Sequence, residues 1–160
     1  MINLYNIRRK NSGVPILSRS EMDNIGEALV GEFCPNVLLE PQALDVDLFS
    51  EKYLGMEQDY QYLSHCGVYL GMTVFNDTNK IVVYNPTTNQ AEYIRAKANT
   101  IIIDNTLLEP KQEHRYRFTM AHEAAGHGVL HKEYFRYNPN QLGLFDGDNI
   151  AMIQCRKDIS

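Results

Sequence analysis

Between Ser18 and Phe33 the apolar residues Met22, Ile25, Leu29 and Phe33 recur three or four positions apart. That spacing puts them on one stripe of an α-helix, the face a globular protein buries. Ser18 and Glu21 stand at capping-box spacing, so the helix is predicted to begin at Ser18. Pro35 follows the stripe and should stop the helix near Phe33. Asp45 or Asp47 can cap a short second helix carrying Leu48, Phe49 and Leu54. Gly55 then stands where a left-handed residue closes a helix.

From residue 59 the pattern changes to short runs rich in tyrosine, valine and isoleucine. DYQYLS (59–64), GVYLGMTVF (67–75), IVVYN (81–85), AEYIRA (91–96) and NTIIID (99–104) read as strands separated by turn residues. NDTNK (76–80) and NPTTNQ (85–90) read as hairpin loops. A helical stretch covers about 111–132, and the chain beyond Asn138-Pro139 turns irregular. The last run, IAMIQCRKDIS, opens like a strand or a helix. Helices, then a small sheet, then a helix define an α+β domain, and 160 residues suffice for one domain with a real core.

Composition narrows the function. The hydrophobic share of 44% and charged share of 22% are those of a globular protein. The net charge of −5 argues against a broad nucleic-acid footprint, which needs a basic face. Arg8-Arg9-Lys10 is short enough to be a solvated terminus. No run reaches the ~18 apolar residues of a membrane span, and the first twenty residues lack a signal-peptide core. Cys34, Cys66 and Cys155 are odd in number and widely spaced, which predicts buried free thiols in a reducing cytoplasm. His65 and His114 stand alone and read as structural.

The chemistry is concentrated in RFTMAHEAAGHGVLH (117–131), with three of the five histidines and a glutamate beside the first. Two histidines four apart on a helix are separated by about 40° around its axis and can share one metal ion. A glutamate after the first can then take a proton from a water that the ion makes more acidic. His122 and His127 are five apart, or about 140° in a regular helix. Two arrangements restore a site. One is a π turn that absorbs the extra residue, with Ala124, Ala125 and Gly126 small enough to allow it and Gly126 free to deform. The other pairs His127 with His131, which are four apart, leaving Glu123 as a possible ligand instead of a base.

NTIIID followed by RYRFTMAHEAAGHGVLH resembles the ImmA/IrrE family of metallo-endopeptidases. The likeness runs through Thr100–Asp104, Arg117, Phe118, Thr119, Ala121, His122, Glu123, Gly126, His127 and His131, and extends more loosely over about 20–135. It implies a zincin-like α+β fold: N-terminal helices, a small twisted and mostly antiparallel sheet, then the histidine-bearing helix. It implies zinc held by His122 and His127, Glu123 as general base, and His131 as a supporting or substrate-side group. The expected substrate is a peptide or protein such as a helix-turn-helix repressor, in the cytoplasm, with no direct nucleic-acid or membrane partner. The family's third ligand is a glutamate on a later helix, and nothing after His131 matches that helix. Glu133 lies too close to the histidines, and Asp146, Asp148 and Asp158 read as solvated. Residues 1–160 therefore read as a single metallopeptidase-like domain lacking that C-terminal helix, with the third ligand unknown. The alternative is the same fold kept as a non-catalytic binding or regulatory module of a mobile genetic element.

Overall fold

The computed structural model describes residues 7–11, 14–135 and 152–156. Helix α1 spans Arg19–Phe33, and both halves of its capping box form. The Ser18 N–H donates to Glu21 Oε2 at 2.7 Å, and Glu21 N–H donates to Ser18 Oγ at 3.3 Å. Of the predicted stripe, Leu29 is buried and Ile25 and Phe33 pack against the core, but Met22 is exposed. The buried stripe of α1 is therefore its second half, Ile25 to Phe33. Helix α2 (Asn36–Leu39) follows Pro35. Helix α3 (Val46–Leu48) is capped by Asp45, not Asp47: Asp45 Oδ1 accepts from Leu48 N–H at 2.9 Å. It runs directly into a π turn, Phe49–Tyr53, and Gly55 takes the left-handed conformation at φ 65°.

Five strands follow: β1 (Glu57–Gln61), β2 (Tyr69–Val74), β3 (Thr78–Asn85), β4 (Gln90–Ala96) and β5 (Thr100–Asp104). A sixth, β6 (Met152–Arg156), comes from the final run. They form two sheets instead of one. The first has the order β1-β5-β2-β6, with β1 and β5 parallel and the other pairs antiparallel. The second is the β3–β4 ribbon. The expected hairpin at 85–90 forms, with Asn85 paired to Gln90. That at 76–80 does not, because β2 and β3 part into different sheets and residues 75–77 carry the chain between layers.

The period-two alternation of the central strands decides what each face covers. Ile101 and Ile103 pack with Leu29, Val46, Phe49, Met56, Leu107, Met120 and Ala124 on the helical side. Ile102, Met72 and Val74 pack with Leu63, Ile81 and Val83 on the ribbon side. A strand buried on both faces reads as a continuous apolar run, and all five residues of β5 are buried. The molecule is thus three layers: helices, four-stranded sheet, ribbon.

Asp104, fully buried at the end of β5, fixes the exit towards the histidines. Its carboxylate accepts from Leu63 N–H at 2.8 Å and from Thr106 N–H at 3.0 Å. A 3₁₀ turn (Asn105–Leu108) leads into α4 (Glu113–Ala121). A second π turn, His122–His127, continues into α5 (Gly128–Leu130) and, past His131, α6 (Lys132–Phe135). The predicted single helix over 111–132 is therefore a helix with a wide turn in its middle. Arg117 holds it against the loop before α3 by donating to Leu44 O at 2.6 Å, and Tyr116 OH donates to Asp47 Oδ1 at 2.5 Å.

Cys34 and Cys66 are free thiols, as expected, but Cys66 is exposed because it lies in the turn before β2. His114 is exposed, and exposed His65 lies edge-on to Tyr84 with ring centroids 6.2 Å apart. No helix among the described residues is long and apolar enough to cross a membrane.

Candidate metal centre

The surplus residue of HEAAGH is taken up by the π turn. Its bonding runs i→i+5, with Gly128 N–H donating to Glu123 O. Widening the turn by one residue brings positions five apart onto one side of the helix. His122 and His127 consequently face each other, with ring centroids 4.8 Å apart and planes nearly perpendicular at 86°. Potential donor atoms of His122, Glu123 and His127 all lie within 4.8 Å of one another.

The glycine expected to permit this, Gly126, is not strained. A Cβ there would meet only His122 Nδ1, at 3.9 Å. The close approaches lie on either side of the site. A Cβ on Gly71 of β2 would come within 2.7 Å of Thr119 Cγ2 and 3.0 Å of Glu123 Oε1. A Cβ on Gly128 would come within 2.6 Å of Met56 Sδ. Gly71 therefore makes the hollow that Glu123 fills. A lone glycine inside a strand pattern signals such an approach, and GVYLGMTVF carries one. Thr73 has no comparable signal in sequence. It lies two residues along the same face of β2, and its Oγ1 donates to Glu123 Oε2 at 2.5 Å.

Glu123 is fully buried, and its other oxygen, Oε1, has no hydrogen-bond partner. Burial pushes its carboxyl up to about 8, opposed by the Thr73 hydrogen bond. The imidazoles move the other way. Desolvation, with repulsion from His122 and His131, lowers His127 to about 4, and burial also lowers His122 and His131. Neutral imidazole is the form that binds a metal. An orphaned buried polar group costs about 1–3 kcal/mol, and the charge of a cation beside it would offset that.

His131 stands outside the three-residue cluster but touches it. His127 Nδ1 and His131 Nδ1 are 2.9 Å apart, a hydrogen bond that leaves His127 Nε2 for another partner. Phe118, one turn before His122, stacks its exposed ring on that imidazole at 6.1 Å and 22°. Sequence reasoning missed this contact, although the two are four apart on a helix.

Imidazoles are donors that catalytic zinc sites use. His122 and His127 would supply two of the ligands, with the Glu123 carboxyl beside the ion. The residues present fit the metal. Among the described residues no further histidine, cysteine or acid joins the three. The side chain of Glu133, and Asp146, Asp148 and Asp158, lie outside the described residues. Comparison with protein-family models, with curated proteins and with solved structures gives no match for this chain.

Proposed function

We propose that His122 and His127 hold zinc and that the chain is a zinc-dependent endopeptidase domain of the ImmA/IrrE kind, with a zincin-like fold. The observation that carries this reading is the π turn, which brings two histidines five apart face to face beside a buried glutamate.

A bound zinc ion would polarise a substrate carbonyl and raise the acidity of an attacking water. The chain's own groups do the rest. His127 offers Nε2 while His131 engages its Nδ1, which orients the ring; zinc on Nε2 would require His127 Nδ1–H to be the donor to His131. Thr73 ties down Glu123 Oε2 and leaves Oε1 without a hydrogen-bond partner; as general base this carboxylate would take a proton from the water and pass it to the leaving amine. In the metal-free chain Glu123 holds its proton at neutral pH, and a nearby cation returns it to the carboxylate form a base requires. The substrate class is a peptide or protein, with a helix-turn-helix repressor as the expected target in the cytoplasm.

Metal analysis of the purified chain tests this. The reading expects one zinc per chain, lost in His122→Ala and in His127→Ala, and peptide hydrolysis reduced about 10²–10⁴-fold in Glu123→Gln with zinc retained. Zinc retained without hydrolysis in the wild-type chain would favour a non-catalytic module on the same scaffold. No zinc after supplementation would end the metal reading.

A further inference from the structure

The rings of Phe118, His122, His127 and His131 follow one another in a row, with successive centroids 6.1, 4.8 and 5.0 Å apart. The two histidines inside the row are supported differently. His127 has a polar support, its Nδ1 lying 2.9 Å from His131 Nδ1. The His122 imidazole makes no hydrogen bond among the described residues. What its ring meets instead is the edge-on ring of His127 and the ring of Phe118, which lies nearly parallel to it at 22°.

The helix places Phe118 there. His122 N–H donates to Phe118 O in an ordinary α-helical bond, and side chains four apart on such a turn lie together. Phe118 is 71% exposed and belongs to neither core cluster, so its ring adds little to the stability of the fold. Its effect falls on its neighbour. The torsion that turns an imidazole about its bond to Cβ is broad unless something restrains it. The lone pair that binds a metal lies in the ring plane, so a group that fixes the plane fixes the direction from which an ion is bound. Metal-ligating histidines are normally oriented by a hydrogen bond through their second nitrogen, and a ligand oriented beforehand gives up less freedom on binding.

We infer that Phe118 is a positioning residue: its ring, lying flat on the His122 imidazole, sets the plane in which His122 presents a nitrogen to the metal, as the hydrogen bond to His131 orients His127. The inference rests on the proposed zinc reading of the two histidines.

Chelator competition for zinc on the full chain tests it, using Phe118→Leu, which keeps an apolar side chain without the flat face, and Phe118→Tyr, which keeps the face. Phe118→Leu is expected to weaken zinc about three- to tenfold, and Phe118→Tyr to bind as the wild type does. The melting temperature of the metal-free chain should move by no more than about 2 °C in either variant. In NMR spectra of the metal-free chain the ring protons of His122 should shift in Phe118→Leu, and those of His131 should not. Zinc held as tightly by Phe118→Leu as by the wild type, an equal loss in Phe118→Tyr, a loss matched by a fall in melting temperature, or unmoved His122 signals would overturn the inference and leave the zinc reading standing. A wild-type chain that takes up no zinc would end both.

Discussion

The chain uses the same wide helical turn twice, with opposite contents. In Phe49–Tyr53 the two terminal rings stack at 5.5 Å and 30°, and Phe33 closes on Phe49 edge-on at 5.5 Å. Here the rings are aromatic packing, and the one buried polar side chain between them, Ser50, is satisfied, donating to Asp47 O at 3.0 Å. In His122–His127 the terminal rings are imidazoles, and the residues between include a buried carboxyl with an unpaired oxygen. Both turns feed one core, through Phe49 in the first and Ala124 in the second. A π turn is therefore not a signature of chemistry. It is a way to bring two rings together, and the residue types decide whether the result is packing or a polar site.

The contrast can be broken most forcefully at Phe49. Phe49→Ala should cost about 3–5 kcal/mol of folding stability by emptying a buried ring site, with zinc stoichiometry of the folded fraction unchanged. Chemical denaturation alongside metal analysis reads both. A matching loss of zinc would mean that the two turns are coupled.

His131→Ala acts on the other turn. It removes the partner of His127 Nδ1 and should weaken zinc about 10–100-fold, measured by chelator competition, while stability falls little. An unchanged affinity would show His131 to be a bystander.

Acidification should separate the turns in the metal-free chain. A histidine whose folded pKa is depressed to about 4 loses stability as pH falls from about 6.5 towards 4, since only the unfolded chain takes up the proton freely. Glu123, raised to about 8, acts in the opposite sense, adding stability as pH falls from about 8 towards 4.5. Glu123→Gln removes the second effect, so the variant's melting temperature should drop as pH is lowered from 6.5 to 4. A flat profile would contradict the burial of His127. Tyr53, in the first turn, is pushed up to about 12 by burial and by Glu32, so its own titration lies above this range.

Deleting Ala125 should have the smallest effect. The wide turn can relax to an ordinary one with the histidines four apart, so zinc affinity should stay within a few-fold. A large gain would mean that the extra residue spoils the site in the native chain.

Local chemistry was legible in the sequence where it acted locally. The Ser18–Glu21 capping box, the left-handed Gly55 and the 85–90 hairpin need only near neighbours. The NDTNK segment has the same turn composition as a hairpin, yet β2 pairs with β5 and β6, both far along the chain, and that choice depends on layers no short window contains. The parallel pairing of β1 with β5 was hidden for the same reason. At the site, the histidines and Glu123 stood out, but a spacing of five allowed both a wide turn and a His127–His131 pair. The structure contains both relations: His122 faces His127 across the turn, and His131 binds behind it. Gly126 had the right composition for a deformable backbone, whereas the tight contacts fall on Gly71 and Gly128, set by β2 and Met56 from elsewhere in the chain.

X-ray absorption of the zinc-loaded chain asks most directly whether the imidazoles of His122 and His127 meet on one ion. The account predicts both rings bound at about 2.0–2.1 Å, with one imidazole fewer in each of His122→Ala and His127→Ala. A zinc shell that is the same in the wild type and both variants would contradict it.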